Sequence, residues 1–200
     1  KLTILPIIFK SKEFGVIYLI SDLEDTRLQQ EEIQLCTAIT NYLAIAVHNT
    51  KMYEMVYQKE KMEREISLAA DIQSNLLPEE LDRVYDLNIS HYFKPAKIIG
   101  GDYYDYYQIK DADRLGIIIG DVSGKGMPAA LLMALMRSIF KTLMEYEVKP
   151  DKILTEFNKL IYNDINNDMF ITVFLSLYDY NESILYYSNA GHSPMLYYDK

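Results

Sequence analysis

Two short stretches of this chain set carboxylates beside glycines. Gly100, Gly101, Asp102, Tyr103, Tyr104 and Asp105 lie where a loop enters a β-rich run. Gly120, Asp121, Val122, Ser123, Gly124, Lys125, Gly126, Met127 and Pro128 follow directly on the apolar run 115–119. Asp102 and Asp121 thus stand at strand ends, where neighbouring glycines let a backbone approach a ligand. With no His or Cys beside them they are hard oxygen donors, the kind that select Mg²⁺ or Mn²⁺ over zinc. Aspartate next to glycine is equally the chemistry of ordinary turns, and spacing alone leaves both readings open. Strand alternation puts Asp102 and Tyr104 on one face, Tyr103 and Asp105 on the other. The second stretch is not a phosphate-binding P-loop: three residues separate Gly120 from Gly124 where that motif has four, and Gly126 rather than Ser or Thr follows Lys125.

The elements that must position these residues are legible from periodicity. Residues 3–9 and 14–20 are β-rich runs around a short polar turn at 10–13, a hairpin pattern. From 28 to 77 there is no Pro or Gly and apolar residues recur at helical spacing, which predicts one long helix or two abutting ones, ended by Pro78. Leu35, Ile39, Tyr42, Ala46, Asn49, Tyr53 and Val56 form one seam of alternating steps of four and three. Met52, Met55, Lys59, Met62, Ile66, Ala69, Gln73 and Leu76 form a second. Such a seam, with balanced bases and acids outside it, suits a coiled-coil partner, with Lys59 and Gln73 as polar register positions. Beyond Pro78, β-like runs are predicted at 87–93, 103–109, 115–120, 170–178, 183–188 and 195–198, with helices at 128–146 and 150–163 between the third and fourth. This order suits an α+β layered domain.

Composition bounds the rest. Half of the 200 residues are hydrophobic and 24% are charged, while Gly and Pro number only 8 and 6, so the chain folds rather than remaining disordered. Twenty basic against 29 acidic residues leave a net charge of −9, which argues against nucleic acid or an anionic membrane as partner. The single cysteine, Cys36, forms no intrachain disulfide and fits a reducing cytoplasm. No apolar run reaches the roughly 18 to 20 residues of a membrane span. The chain opens at Lys1 within a strand-like run, which reads as a cut.

The ordered series Ala70, Asp71, Ile72, Gln73 through Leu76, Leu77, Pro78; then 100–105; then 120–128 with Ala129, Ala130, Leu131; then Phe170 and Thr172; then Asn189, Ala190, Gly191, His192, Ser193, Pro194 resembles the SpoIIE/RsbU-type phosphatases of the PPM family. GGDYYD does not make the chain a GGDEF diguanylate cyclase, since Tyr104 and Asp105 stand where that signature has Glu and Phe. The match covers about 69–200, while 2–49 resembles the last strands and closing helix of a GAF sensor domain. The resemblance therefore implies three parts: a GAF remnant over 1–50, a helical coiled-coil linker over 51–78, and over 79–200 the amino-terminal part of an αββα PPM sandwich, incomplete at its carboxyl end.

What the resemblance implies is hydrolysis of phosphoserine or phosphothreonine by water bridging two divalent cations, Mn²⁺ or Mg²⁺. By position, Asp102 and Asp121 become catalytic metal ligands, joined by the Val122 main-chain carbonyl. Asp105, Gly101 and His192 are expected around that shell, His192 as a general acid or a structural turn residue. The implied substrate is a phosphorylated STAS-type anti-sigma-factor antagonist, and the implied setting a cytoplasmic homodimer paired through 52–76 that answers an unknown signal at the sensor. The family has a further metal aspartate in a later Asp-Gly turn, and these 200 residues hold none beyond the Asn189–His192 segment, so alone they are expected to show little activity. The competing class is a non-catalytic GAF and coiled-coil module with a degenerate phosphatase part. Lys125 reads as solvated, 127–136 as core helix, and the 18 tyrosines as sheet cover.

Overall fold

The computed structural model describes residues 2–20, 28–78, 87–95, 97–109, 113–147, 149–166 and 168–199. They divide into two units, Lys1–Arg64 and Glu65–Lys200. The boundary expected at 78/79 borders a stretch, 79–86, outside the described residues.

In the first unit, β1 (Leu2–Phe9) pairs antiparallel with β2 (Lys12–Ile20). Lys10 and Ser11 form the turn at φ 47° and 64°, the left-handed pair that matches a two-residue hairpin to the twist of its strands. Helix α1 (Gln30–Ser74), 45 residues long, starts in this unit and ends in the second. Glu32 accepts the Gln29 amide at 2.8 Å and, with Glu31, sets negative charge in the first turn, which favours a helix start there. His48 on α1 packs on Phe9 and Phe14, with ring centroids 4.7 and 6.0 Å away.

In the second unit four strands form one antiparallel sheet in the order β3-β4-β5-β6: β3 (Tyr103–Ile109), β4 (Arg114–Val122), β5 (Ile171–Asp179) and β6 (Ile184–Ala190). Between β4 and β5 the chain makes α2 (Met127–Tyr146) and α3 (Pro150–Ile161), each with proline in its first turn, where a missing N–H costs nothing. Ala129, Met133, Met136, Phe140 and Met144 recur every three or four residues and form one buried face of α2; Ile153, Leu154, Phe157 and Ile161 do the same for α3. Both faces join the core formed with Tyr103, Ile118, Val122, Val173, Leu175 and Leu177, and Phe140 stacks on Phe157 at 4.3 Å. Length and composition would let α2 span a membrane, yet its apolar face is spent on covering this sheet.

The described residues thus supply one helical layer and one sheet, two of the four layers expected. Two predicted strands are not formed. Of 87–93 only Leu87 makes a bridge, and 195–198 make none. A β-rich run becomes a strand only where a ladder partner satisfies its backbone. His91 and Phe93 instead lay their rings against Tyr104, at 4.6 and 5.7 Å.

Candidate active site

Antiparallel pairing of β3 and β4 sets Tyr103 opposite Gly120. Asp102, one residue before β3, therefore meets Asp121, one residue beyond Gly120, at the same end of the sheet. Both carboxylates are exposed there. Partial burial raises the Asp121 pKa above the ordinary carboxylate range, and Asp102 raises it further through a shared hydrogen bond and through its charge; His192 opposes this. Two acidic side chains crowded so closely disfavour a second negative charge, a conflict that a cation between them relieves.

Gly101 makes this approach possible. A Cβ at this position would lie 2.7 Å from the Val122 carbonyl oxygen and 2.9 Å from the Val122 Cβ, so only glycine lets the two strand ends close. The Val122 amide donates to the Gly101 carbonyl at 3.3 Å. Beyond Val122 the loop turns through Gly124 and Gly126, at φ 91° and 82°, where side chains are strained. Ser123 closes it: its amide donates to the Phe170 carbonyl and its Oγ accepts the Phe170 amide, both at 2.8 Å.

His192 reaches the same place from β6. Asn189 Oδ1 accepts the His192 amide at 2.8 Å, Asn189 Nδ2 donates to the His192 carbonyl at 3.0 Å, and Gly191 turns at φ 76°. The imidazole Nδ1 lies 3.0 Å from Thr172 Oγ1. Asp102 and His192 line one cavity of about 660 Å³, walled by His91, Phe93, Tyr104 and Tyr106.

Asp105 goes elsewhere. It faces the helices, buried, accepting bonds from Tyr103 Oη and the Tyr106 amide at 2.8 Å each, with Arg137 Nε of α2 at 3.7 Å. It ties β3 to α2 and touches neither Asp102 nor Asp121. Burial, with the charge of Asp105 beside it, keeps the Tyr103 hydroxyl protonated far above its usual range.

Gln73, expected as a polar seam position, is a clasp on the loop before Asp102. Its Nε2 donates to the Gly100 carbonyl at 2.8 Å and its Oε1 accepts the Gly100 amide at 3.1 Å. A side-chain amide that satisfies both backbone groups of one residue fixes the loop two residues before Asp102. Periodicity hides such a role, because Gln73 fits a seam as well as a clasp; only the Ala70–Gln73 motif pointed at it.

The donor set fits a hard divalent cation, with Asp102 and Asp121 as a two-carboxylate half-site. Among the described residues no group of three or more His, Cys, Asp or Glu gathers around a metal position.

Residues 111–200 match the family described as Stage II sporulation protein E (SpoIIE). Phosphoserine phosphatase RsbU of Bacillus subtilis (strain 168) is 33% identical over 156 residues, 74% of this chain and 46% of its own length. Residues 111–200 are thus of the SpoIIE type, and the chain as a whole is similar to RsbU-type PPM phosphatases. A second relative of that type, phosphoserine phosphatase RsbP of the same organism, is 34% identical over 68% of this chain and 34% of its own length. The chain spans less than half of either relative. The SiaA-PP2C domain of Pseudomonas aeruginosa shares the fold, with a TM-score of 0.55, 23% identity, and coverage of 68% of this chain and 56% of that one. The four-stranded sheet and its two helices thus share a PP2C-type fold.

Proposed function

We propose that this chain is part of a metal-dependent protein phosphatase that hydrolyses phosphoserine or phosphothreonine on a regulatory protein. The observation that carries this is the meeting of Asp102 and Asp121 at one sheet end; the naming of two relatives as phosphoserine phosphatases supports it. Asp102, Asp121 and the Val122 carbonyl would hold Mn²⁺ or Mg²⁺, and two such ions supply an activated water and neutralise phosphoryl charge when bound. The chain's own part is positional. Gly101 admits the close approach, Gln73 holds Gly100, and Ser123 pins the loop after Asp121 to Phe170.

The substrate is a STAS-type anti-sigma-factor antagonist, as the RsbU and RsbP relationship suggests. Control passes from a GAF-type sensor remnant at 1–50, through a helical linker at 51–78, to the phosphatase part from 79 onward. The protein works in the cytoplasm as a dimer joined through 52–76, where Met52, Met55, Met62 and Ile72 leave apolar side chains exposed on α1.

The test uses the intact protein with Mn²⁺ and a phosphoserine protein. Asp102→Asn and Asp121→Asn are each expected to lower turnover more than about 100-fold, through several kcal/mol of lost charge stabilisation. Both residues are exposed, so circular dichroism should remain unchanged. Wild-type rates in either variant would remove these two residues from the chemistry, and no Mn²⁺-dependent turnover in the wild type would favour a non-catalytic signalling module.

A further inference from the structure

Thr172 and His192 both belong to sequence segments that the metal-ligand reading leaves without a task. The β4–β5 register sets Thr172 directly opposite Asp121. Its hydroxyl lies 3.5 Å from the Asp121 carbonyl and 3.0 Å from His192 Nδ1. Only the hydroxyl can donate in the longer contact, whereas the shorter one runs in the direction the imidazole tautomer sets. A Thr172 hydroxyl that donates to Nδ1 leaves the proton of a neutral imidazole on Nε2. Asn189 fixes the His192 backbone on both sides. No protein partner takes Nε2 among the described residues, while Asp121 lies close enough for the two side chains to interact electrostatically, and the cavity that holds Asp102 is lined by His192 as well. In that tautomer an N–H donor stands beside a carboxylate pair that, when ionised, offers only acceptors.

We propose that His192 is a phosphoryl-binding residue, its Nε2–H meeting a non-bridging oxygen of a phosphate monoester or of inorganic phosphate at the Asp102/Asp121 site, and that Thr172 is the positioning residue that fixes its tautomer. This rests on the phosphatase reading for the substrate, but the bond itself concerns any phosphate held there. It supplies orientation, and no covalent step passes through it.

The experiment uses the intact protein in Mg²⁺ with ¹⁵N-labelled histidine. His192 is assigned by the signal lost in a His192→Gln variant. Its spectrum is expected to show the Nε2–H tautomer and to shift as inorganic phosphate is added. Thr172→Val should redistribute the tautomers. It should also raise both the phosphate dissociation constant and the KM for a phosphoserine protein, by roughly 3- to 10-fold, the worth of one neutral hydrogen bond. Thr172→Ser should restore all three. If Thr172→Val does not fold, His192→Ala at the exposed turn should show the same weakening with Mn²⁺ half-saturation unchanged.

Phosphate that leaves His192 unshifted, or a folded Thr172→Val with wild-type phosphate affinity, overturns the proposal. So does a shift of Mn²⁺ half-saturation in His192→Ala, which would make His192 a cation ligand. A phosphate-responsive His192 without phosphoserine turnover would support this inference while refuting the phosphatase reading. Turnover unaltered by Thr172→Val would do the reverse.

Discussion

Asp179 accepts hydrogen bonds from Arg114 Nε at 2.7 Å and from the Asn181 and Glu182 amides at 3.0 and 3.1 Å, so one carboxylate both ends β5 and organises the turn into β6. The Arg114 bond, then the Glu182 amide, hold its pKa below the ordinary carboxylate range. A depressed folded pKa stabilises the fold above the unfolded value of about 3.9 and loses that contribution as pH falls toward the folded one. Asp179→Asn is therefore expected to lower the Tm at neutral pH, with the gap closing as melts are taken below about pH 4. A gap independent of pH would show that the charge contributes nothing. Gly101 makes a second residue-scale case. Gly101→Ala sets a methyl against a carbonyl oxygen and two other carbons, so it should cost about 1 to 3 kcal/mol of stability, read as a lower denaturant midpoint, and weaken cation binding by displacing Asp102. Unchanged cation affinity would mean that the strand ends can part without harm.

Among the elements, α1 carries two demands on one sequence. Its last turns end in the Gln73 clasp on Gly100, while its middle exposes a methionine-rich stripe. Gln73→Ala removes two hydrogen bonds of about 0.5 to 1.5 kcal/mol each and frees the loop before Asp102. Faster amide exchange at Gly100, with a fall in turnover larger than any fall in Tm, is the expected outcome. If exchange at Gly100 stays slow, something else holds the loop. The two unformed strands, 87–93 and 195–198, belong to this scale too. Their β-rich composition is real, but composition cannot supply the partner that a ladder requires.

For the whole molecule, the proposed pairing through 52–76 predicts a dimer by light scattering at tens of micromolar, and Met62→Lys should convert it to a monomer. Met62 is 63% exposed in the single chain, so the substitution spares the monomer fold and reports on association alone. A wild-type monomer, or a dimer indifferent to Met62→Lys, would send the stripe on α1 to another purpose.

The sequence by itself determined what depends on neighbours along the chain. The α2 stripe from Ala129 to Met144, the tyrosine-rich run of β3, the apolar run of β4, and the Pro128 and Pro150 helix starts are local signals, and each produced its element within a residue or two. The Asp102 and Asp121 motifs were equally legible, because glycine-flanked carboxylates at strand ends form a pattern in one dimension. Only the tertiary structure decided what those residues meet. Alternation along the chain separates Asp105 from Asp102, but only packing shows that the Asp105 face is the buried one, where Tyr103 and Arg137 meet it. Gln73 and Gly100 meet across 27 positions, and Thr172 reaches both Asp121 and His192 because β5 lies between β4 and β6. Such contacts follow from packing and register, which no periodicity in the sequence records.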